Sequence, residues 1–295
     1  MHHYSGLFSA IYLCPSDLNP AQLLAIKATS PSSETPPHDS KREARILSSL
    51  SHANVIKLLD NSRLPNSNTL LLVYPFQLLT LENLLDATKT KVQQGILYDI
   101  FSALAYIHSS NLIHRDIKPA NILLSSHSGP ARLCDFGIAW LPGDPASEPA
   151  DSKITDVGTT CYRAPELLFG RRDYGEAIDL WAAGCVSAEV FVHNHKSRQE
   201  NWTLFTAGAL GSELALIKSI FETLGTPNAR SWPESQHLPD WGKMTFAEFL
   251  PRSWEEILPN VEEGERDLVD KLVKYESGHR LKAAQVRHVS RTDRG

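Results

Sequence analysis

Short apolar runs dominate the first quarter of the chain, and longer stretches with helical spacing follow. Apolar runs bounded by polar or turn residues predict strands within Ser5–Cys14 and at Leu23–Lys27, Asn54–Asp60 and Thr69–Phe76. Apolar residues three and four apart predict a helix over Val92–Ser109, whose buried stripe comprises Ile96, Leu97, Ile100, Phe101, Leu104 and Ile107. The pattern therefore indicates a β-rich beginning and a helical remainder.

One helix is predicted inside the β-rich part, over Ser40–Leu50. Glu43 lies one helical turn before Leu47, so the two share the buried face of this helix. A glutamate on a buried face needs a partner, and Lys27 at the end of a predicted strand is the candidate. The alternative is a capping box, since Ser40 and Glu43 also spell S-x-x-E. The apolar register favours the ion pair.

Composition narrows the class of protein without naming a function. The chain has 295 residues, a net charge of −5, 42% hydrophobic and 21% charged residues. Its length suggests about two domains, and the absence of a basic excess argues against a nucleic-acid partner. We also expect no membrane association, because the sequence shows neither a signal peptide nor a membrane-length apolar run.

The cysteines point to a reducing compartment. No two of them form a CxxC pair, which argues against both a zinc site and a disulfide framework; they are Cys14, Cys134, Cys161 and Cys185. Together with the missing signal peptide, this pattern predicts a protein of the cytoplasm or nucleus.

The most informative polar stretch is HRDIKPANILL, which is followed by CDFG. The first string places Asp116, Lys118 and Asn121 in one loop, and the second supplies Asp135. Transfer of a γ-phosphoryl group requires a base for the attacking hydroxyl, ligands for Mg²⁺ and a positive charge near the phosphate. Asp116 is suited to be the base and Lys118 the charge. Asn121 and Asp135 are suited to bind the metal.

These strings resemble the catalytic loop and metal-binding motif of eukaryotic protein kinases, whose signature set contains the same pattern. The resemblance extends from Gly6 to Arg280. It implies a two-lobe α+β protein kinase fold, with an N-lobe over 1–77, a C-lobe over 78–295 and the active site between them. It also implies that the protein is a serine/threonine kinase that uses ATP and Mg²⁺ on a protein substrate.

The resemblance further implies a set of nucleotide contacts. Gly6 matches the middle glycine of a glycine-rich loop, whose outer positions are Tyr4 and Ser9 here. Only a few residues precede this loop, so the first strand of the N-lobe is expected to be largely missing. Lys27 is expected to hold the α and β phosphates, with Glu43 as its partner. The remaining expected pocket residues are Ile11, Ala25, the gatekeeper Tyr74 and the hinge residues Phe76 and Gln77.

The activation segment is expected over Asp135–Glu166, because its end, GTTCYRAPE, resembles the cyclin-dependent and mitogen-activated kinase group. Thr159 is then implied to contact the substrate. The threonine that cyclin-dependent kinases need phosphorylated falls on Ile154. Arg115, which would pair with that phosphate, is expected to use another group: a phosphate on Thr155 or Ser152, or a carboxylate such as Asp151 or Asp156.

Two structural contacts are implied in the C-lobe. Asp179 is expected to accept hydrogen bonds from the backbone of the catalytic loop, and Arg280 is expected to pair with Glu166. Both pairs would hold the loops that carry the chemistry.

The departures from the family pattern bear on partners. The Ser40–Leu50 helix does not match the cyclin-binding PSTAIRE sequence, which makes a cyclin partner doubtful. With the degenerate glycine loop and the missing loop threonine, the chain resembles the single-subunit kinases of fungi that activate cyclin-dependent kinases. That resemblance implies a monomer whose substrate is the activation loop of a cyclin-dependent kinase. The alternatives are a cyclin-requiring kinase and a catalytically impaired pseudokinase that acts as a scaffold.

Overall fold

The computed structural model describes residues 3–5, 9–17, 19–20, 22–87, 92, 94–195 and 202–286, with side chains from residue 9 onward. The strands are β1 His3–Ser5, β2 Ser9–Pro15, β3 Leu23–Thr29, β4 Asp60–Arg63, β5 Leu70–Pro75, β6 Leu79–Thr80, β7 Ile122–Leu124 and β8 Ala131–Leu133. The α-helices are α1 Ser40–Ser49, α2 Leu81–Asp86, α3 Gln94–His108, α4 Pro165–Leu168, α5 Ala177–Asn194, α6 Glu213–Leu224, α7 Trp254–Ile257 and α8 Glu263–Leu272.

The first part of the chain forms a five-stranded antiparallel sheet in the order β1-β2-β3-β5-β4. The first strand is short, and its three residues pair with Ala10, Ile11 and Tyr12 of β2. On β5, burial alternates along the strand, with Leu70, Leu72 and Tyr74 buried. That alternation places one face of the sheet against α1 and the core.

The predicted strand over Asn54–Asp60 is wrong in its bounds, because β4 begins only at Asp60. Val55 and Ile56 are buried against β8 instead. Val55 bridges to Leu133, and Ile56 N donates to Leu133 O at 2.9 Å. The true strand, with the sequence DNSR, is fully exposed and carries no apolar signal. The apolar residues before Asp60 therefore indicate a contact with the core, whereas the edge strand β4 is defined only by its backbone pairing with β5.

The second part of the described chain is mostly helical, with a small three-stranded sheet in the order β6-β7-β8. The long helix predicted over Val92–Ser109 is confirmed as α3, and all six residues of its predicted stripe are buried. The strand β7 follows directly after the loop that contains Asp116 and Asn121, so α3 and this sheet fix both ends of the loop.

Helix α5 is the centre of the helical part, with every residue from Ile178 to Val192 buried. Gly184 allows α8 to approach closely, because a Cβ atom there would lie 2.7 Å from the Val273 side chain and 2.9 Å from that of Leu272. Within the described residues, no helix is both long and apolar enough to cross a membrane. The observed α+β architecture matches the fold that the sequence resemblance implies.

Candidate active site

Lys27 and Glu43 meet between β3 and α1. Lys27 Nζ lies 2.8 Å from Glu43 Oε2 and 3.1 Å from Oε1, and the Glu43 side chain is only 2% exposed. The capping-box alternative does not form, because Asp39 is the N-cap of α1 and accepts from Arg42 N at 2.8 Å. Since Asp39 caps the helix, Glu43 is released to point inward, and the predicted ion pair is confirmed.

The predicted pocket residues of the sheet share one face with Lys27. Directly opposite residues of antiparallel strands point to the same side, and Ile11 is opposite Lys27 while Tyr74 is opposite Ala25. Ala25 and Lys27 are two residues apart on β3 and so also face the same way. Gly6 lies outside the described residues.

Tyr74, the predicted gatekeeper, has a contact that the sequence did not indicate. Its hydroxyl donates to Glu43 Oε1 at 3.2 Å. Burial and the Glu43 charge raise the pKa of Tyr74, so the phenol stays protonated and remains a donor. The side chain therefore helps to hold Glu43 in place in addition to closing the rear of the pocket.

Some backbone groups of the predicted hinge are already engaged within the chain. Phe76 N donates to Leu23 O at 3.1 Å, so its N–H is already used, and Pro75 has no N–H. Gln77 folds its side chain back and donates to the carbonyl oxygens of Pro75 and Phe76 at 3.3 and 3.0 Å. Of the two predicted hinge residues, Gln77 keeps an N–H with no hydrogen bond to any described residue, whereas the N–H of Phe76 is engaged by Leu23. Adenine binding by this hinge stays a prediction.

Asp135 completes a three-charge cluster with Lys27 and Glu43. Lys27 Nζ lies 2.8 Å from Asp135 Oδ1, while the Asp135 side chain remains 45% exposed. The charge of Lys27 lowers the pKa of Asp135 well below its ordinary value, so this carboxylate is ionised at neutral pH. Next to it, Phe136 is fully buried and packs edge-on against His114 at 4.7 Å between ring centroids. This packing fixes the direction in which Asp135 points.

The predicted catalytic residues converge on the carboxylate of Asp116. Asn121 Nδ2 donates to Asp116 O and Oδ2 at 2.8 and 2.9 Å, and Lys118 Nζ lies 2.8 Å from Oδ2. Thr159 donates to Asp116 Oδ1 through its backbone N–H at 3.0 Å and its hydroxyl at 2.9 Å. Lys118 Nζ also donates to the Thr159 hydroxyl at 2.8 Å. An alcohol thus already sits between the carboxylate and the ammonium group.

Asp179 anchors the catalytic loop, as predicted. Its carboxylate accepts from the backbone N–H groups of His114 and Arg115, both at 2.9 Å. His108 Nε2 lies 2.9 Å from Asp179 Oδ2 and provides a third contact from the end of α3. Burial acts against the charge, but the hydrogen bonds from His108 and the backbone prevail and lower the pKa of Asp179. The loop is therefore held by a buried anion.

The partner of Arg115 is a carboxylate, but none of those named from the sequence. Arg115 Nη1 and Nη2 donate to the two carboxylate oxygens of Glu148, both at 3.0 Å. Asp151 and Ser152 are exposed, and neither they nor Thr155 hydrogen-bond to Arg115. The expectation of a carboxylate partner is confirmed, but the named candidates are wrong, because the choice depends on how the chain folds back after Asp135, which spacing along the sequence does not reveal.

Asp156, the other carboxylate named for Arg115, binds Arg163 instead. Arg163 Nη2 lies 2.8 Å from Asp156 Oδ1, and Nε donates to Val157 O at 3.0 Å. Position 158, which follows Val157, favours glycine. Its φ is +77°, and a Cβ atom there would lie 2.9 Å from Arg115 O. These contacts fix the segment that brings Thr159 to Asp116.

Glu166 and Arg280 form the second predicted structural contact. The two Nη atoms of Arg280 donate to the two carboxylate oxygens of Glu166 at 2.6 and 2.7 Å. Both side chains are at most 1% exposed. Arg280 also donates to the carbonyl oxygens of Lys274, Tyr275 and Ala177, so its charge is well solvated by the protein.

Besides the hydrogen bond from Tyr74 to Glu43, three functional contacts were missed by sequence reasoning: the cap by Asp39, the contact of His108 with Asp179, and the pairing of Glu148 with Arg115. Asp39 stands one residue before the predicted helix, so the preference of aspartate for N-caps was a usable signal. The other two join residues far apart in the chain and have no local signature.

Comparison with known proteins agrees with this site. A protein kinase domain model matches residues 5–290. The serine/threonine-protein kinase csk1 of Schizosaccharomyces pombe is 38% identical over 277 residues, which are 93% of this chain and 87% of that protein. Cyclin-dependent kinase 20 of Danio rerio is 33% identical over 256 residues, 84% of this chain and 69% of that protein. The chain belongs to the protein kinase family and is a serine/threonine kinase of the cyclin-dependent kinase-like group.

Proposed function

We propose that this kinase uses ATP and Mg²⁺, acts as a single subunit, and phosphorylates the activation loop of a cyclin-dependent kinase. One observation carries the single-subunit part of the proposal. The Lys27–Glu43 ion pair is closed within the chain itself. Because the chain brings Glu43 to Lys27 with its own residues, it needs no partner to seat this helix.

The described residues suit the nucleotide and its metal. Mg²⁺ prefers oxygen ligands and is usually held by one or two side chains together with substrate phosphates. Asp135 offers an ionised, partly exposed carboxylate, and Asn121 uses its amide nitrogen on Asp116, which leaves the amide oxygen for the ion. Lys27 is suited to the α and β phosphates, and Gln77 N–H to the adenine. Bound Mg²⁺ would offset the negative charge on the phosphates.

The chain's own groups supply the remaining chemistry at the acceptor. Asp116 is suited to accept the proton of the incoming hydroxyl and to orient its oxygen, since it already accepts a hydrogen bond from the Thr159 hydroxyl. Lys118 stays beside that hydroxyl and adds a positive charge. Asp179 holds the backbone of His114 and Arg115, so Asp116 is carried on a fixed loop.

The substrate part of the proposal rests on the departures from the cyclin-dependent kinases. The chain lacks the PSTAIRE sequence and has Ile154 where those kinases carry their phosphorylated threonine. We propose accordingly that no cyclin is required, that the chain is a monomer with lobes at 1–77 and 78–295, and that it acts in the cytoplasm or nucleus.

The test is transfer of ³²P from ATP by the purified chain alone to a catalytically inactive cyclin-dependent kinase. The matched control substrate has its activation-loop threonine replaced by alanine. We expect Mg²⁺-dependent labelling of the first substrate and none of the second. Labelling of both would overturn the proposed site of phosphorylation. Labelling that appears only after a cyclin is added would favour a cyclin-requiring kinase, and no transfer under any condition would favour a scaffold.

A further inference from the structure

A short strap, residues Asp144–Glu148, joins the helix that carries Glu43 to the catalytic loop. On the side of α1, Arg45 donates from Nε and Nη2 to the two carboxylate oxygens of Asp144, both at 2.8 Å. Arg42 Nη1 donates to Ala146 O at 3.0 Å. The strap is therefore fixed to α1 by both side-chain and backbone contacts.

At its other end, the strap delivers Glu148 to Arg115. The two parallel hydrogen bonds form the bidentate arrangement in which guanidinium and carboxylate bind most strongly. The Arg115 side chain is fully buried, and that of Glu148 is 16% exposed. Trp140 Nε1 donates to Glu148 O at 2.9 Å and fixes the backbone beneath the carboxylate.

The surroundings of Glu148 are rich in positive charge. Arg42 and Lys153 are both buried near Arg115, and each interacts electrostatically with the Glu148 carboxylate. Lys153 Nζ packs over the rings of Trp140 and Tyr174 at 4.5 and 5.3 Å. Such a cluster needs an anion, and Glu148 supplies one that is covalently part of the chain.

The hydroxyl groups that were candidates for phosphorylation are not used here. Both Nη atoms of Arg115 are engaged by Glu148, and Ser152 is exposed. At the position of the missing threonine, the Ile154 side chain packs against the hydrophobic core, and its backbone oxygen accepts from the Tyr174 hydroxyl at 2.6 Å. The carboxylate of Glu148 therefore occupies the place on Arg115 that a phosphate group would need.

We propose that Glu148 is a positioning residue that takes the place of an activation-loop phosphate, so that this kinase is active without phosphorylation of its own chain. The inference rests on the proposed kinase function. A carboxylate in this place links α1, and hence Glu43, to the residue before Asp116. Both halves of the active site are then held together permanently, without a phosphorylation switch.

The test compares the rate of ³²P transfer by the chain before and after treatment with a protein phosphatase. We expect an unchanged rate. We expect Glu148→Ala to lower kcat by roughly 100-fold, the usual effect of misplaced catalytic groups. The matched control is Asp151→Asn, an exposed carboxylate of the same segment, and it should keep the full rate. A phosphatase-treated chain that is inactive, or a fully active Glu148→Ala variant, would overturn the proposal.

Rescue by an anion separates positioning from a general loss of structure. Arg42 Nε and Arg115 Nε are both buried without a hydrogen-bond partner in the described chain, so donors remain for an anion that replaces the deleted carboxylate. Sodium sulfate, with ionic strength matched by sodium chloride, should raise the rate of Glu148→Ala by roughly tenfold, as one charge-assisted contact would. Sulfate should leave the wild type and Asp151→Asn unchanged. If sulfate has no effect on the rate of Glu148→Ala, an anion at Arg42 and Arg115 does not position the active site, and the proposal is contradicted.

Amide hydrogen exchange tests the same proposal without relying on catalysis. In the phosphatase-treated wild type, residues 144–158 should be protected, and Glu148→Ala should lose this protection while α5 keeps its own. Protection that survives in the variant, or that is absent from the treated wild type, contradicts the proposal. If the wild type transfers no phosphate but shows the expected exchange, then the proposed function fails and the positioning role of Glu148 stands.

Discussion

Two ion pairs of nearly equal length behave differently in this molecule. Lys27 and Asp135 lie 2.8 Å apart between β3 and the loop after β8, and the Asp135 side chain is 45% exposed. Glu166 and Arg280 lie 2.6 Å apart in the helical part, and neither side chain is more than 1% exposed. The first pair borders open space, whereas the second is closed on all sides.

The difference in exposure separates side chains that can bind ligands from side chains that hold the fold together. Lys27 and Asp135 are ionised and border open space. Lys27 can therefore give up Asp135 to bind a phosphate, and Asp135 can give up Lys27 to bind a metal ion. Arg280 makes five hydrogen bonds to Glu166 and three backbone carbonyl oxygens and has no room for another partner. We therefore expect substitutions in the open cluster to reduce activity and substitutions in the closed pair to reduce stability.

The largest effect is expected for Asp116→Asn, on the open side. Loss of the base should lower kcat by about 10³-fold, within the range of general acid–base catalysis. The new amide oxygen can still accept from Thr159, but the amide NH2 group would face the donors of Lys118 and Asn121, so the free energy of unfolding should fall by about 1.5–3 kcal/mol. Urea unfolding and ³²P transfer, measured on the same preparation, check both halves. A large loss of stability would remove the distinction between the two regions.

On the closed side, Arg280→Met should cost about 3–5 kcal/mol of stability, because Glu166 would remain as a buried, unpaired charge. The double variant Arg280→Met with Glu166→Gln should recover part of this loss, since the unpaired charge is then removed as well. Urea denaturation provides the measurement. If the single and double variants are equally unstable, the burial of an unpaired charge is not the cause.

Nucleotide binding should stabilise the chain through the open cluster. ATP with Mg²⁺ at about 100 times its dissociation constant should add about 2.7 kcal/mol to the free energy of unfolding. Thermal shift assays with and without Mg²⁺ provide the measurement. Asp135→Asn should lose the Mg²⁺-dependent part of the shift, whereas Arg280→Met, although less stable, should keep it. A metal-dependent shift that survives in Asp135→Asn would argue against that residue as a ligand.

A smaller effect is expected where the two kinds of site meet. Tyr74 is buried like the closed pair, but its hydroxyl donates to Glu43 of the open cluster. Tyr74→Phe should cost about 1.5–3 kcal/mol, the usual value for a hydrogen bond to a charged group. The control is Tyr98→Phe, at a half-buried tyrosine of α3. Equal stability of the two variants would show that the contact with Glu43 contributes nothing.

Local patterns predicted much of the fold and of the site. The apolar stripe of α3 and the buried register of Glu43 were readable, because both follow from helical periodicity. The resemblance to protein kinases located Asp116 and Asn121 in the loop before β7 and Asp135 just after β8, and a hydrogen bond from Cys134 N to Asn121 O at 3.0 Å joins the two segments.

Other features were not readable, because they depend on the path of the chain through space. The strand β4 consists of four exposed polar residues and is defined only by its pairing with β5. Glu148 reaches Arg115 across 33 positions in the sequence, after a stretch of turns. The hydrogen bond from Phe76 N to Leu23 O joins two backbone groups, so the side-chain pattern of the sequence does not predict it.

The central claim is that a single chain assembles the open cluster by itself. Its most direct test is ³²P transfer by the purified chain alone, with Glu43→Gln beside the wild type. The wild type should transfer phosphate without any added protein, and Glu43→Gln should be slower by about 100-fold, because Lys27 loses the charge that positions it. Equal rates for the two proteins, or a wild type that works only with an added partner, would contradict the claim.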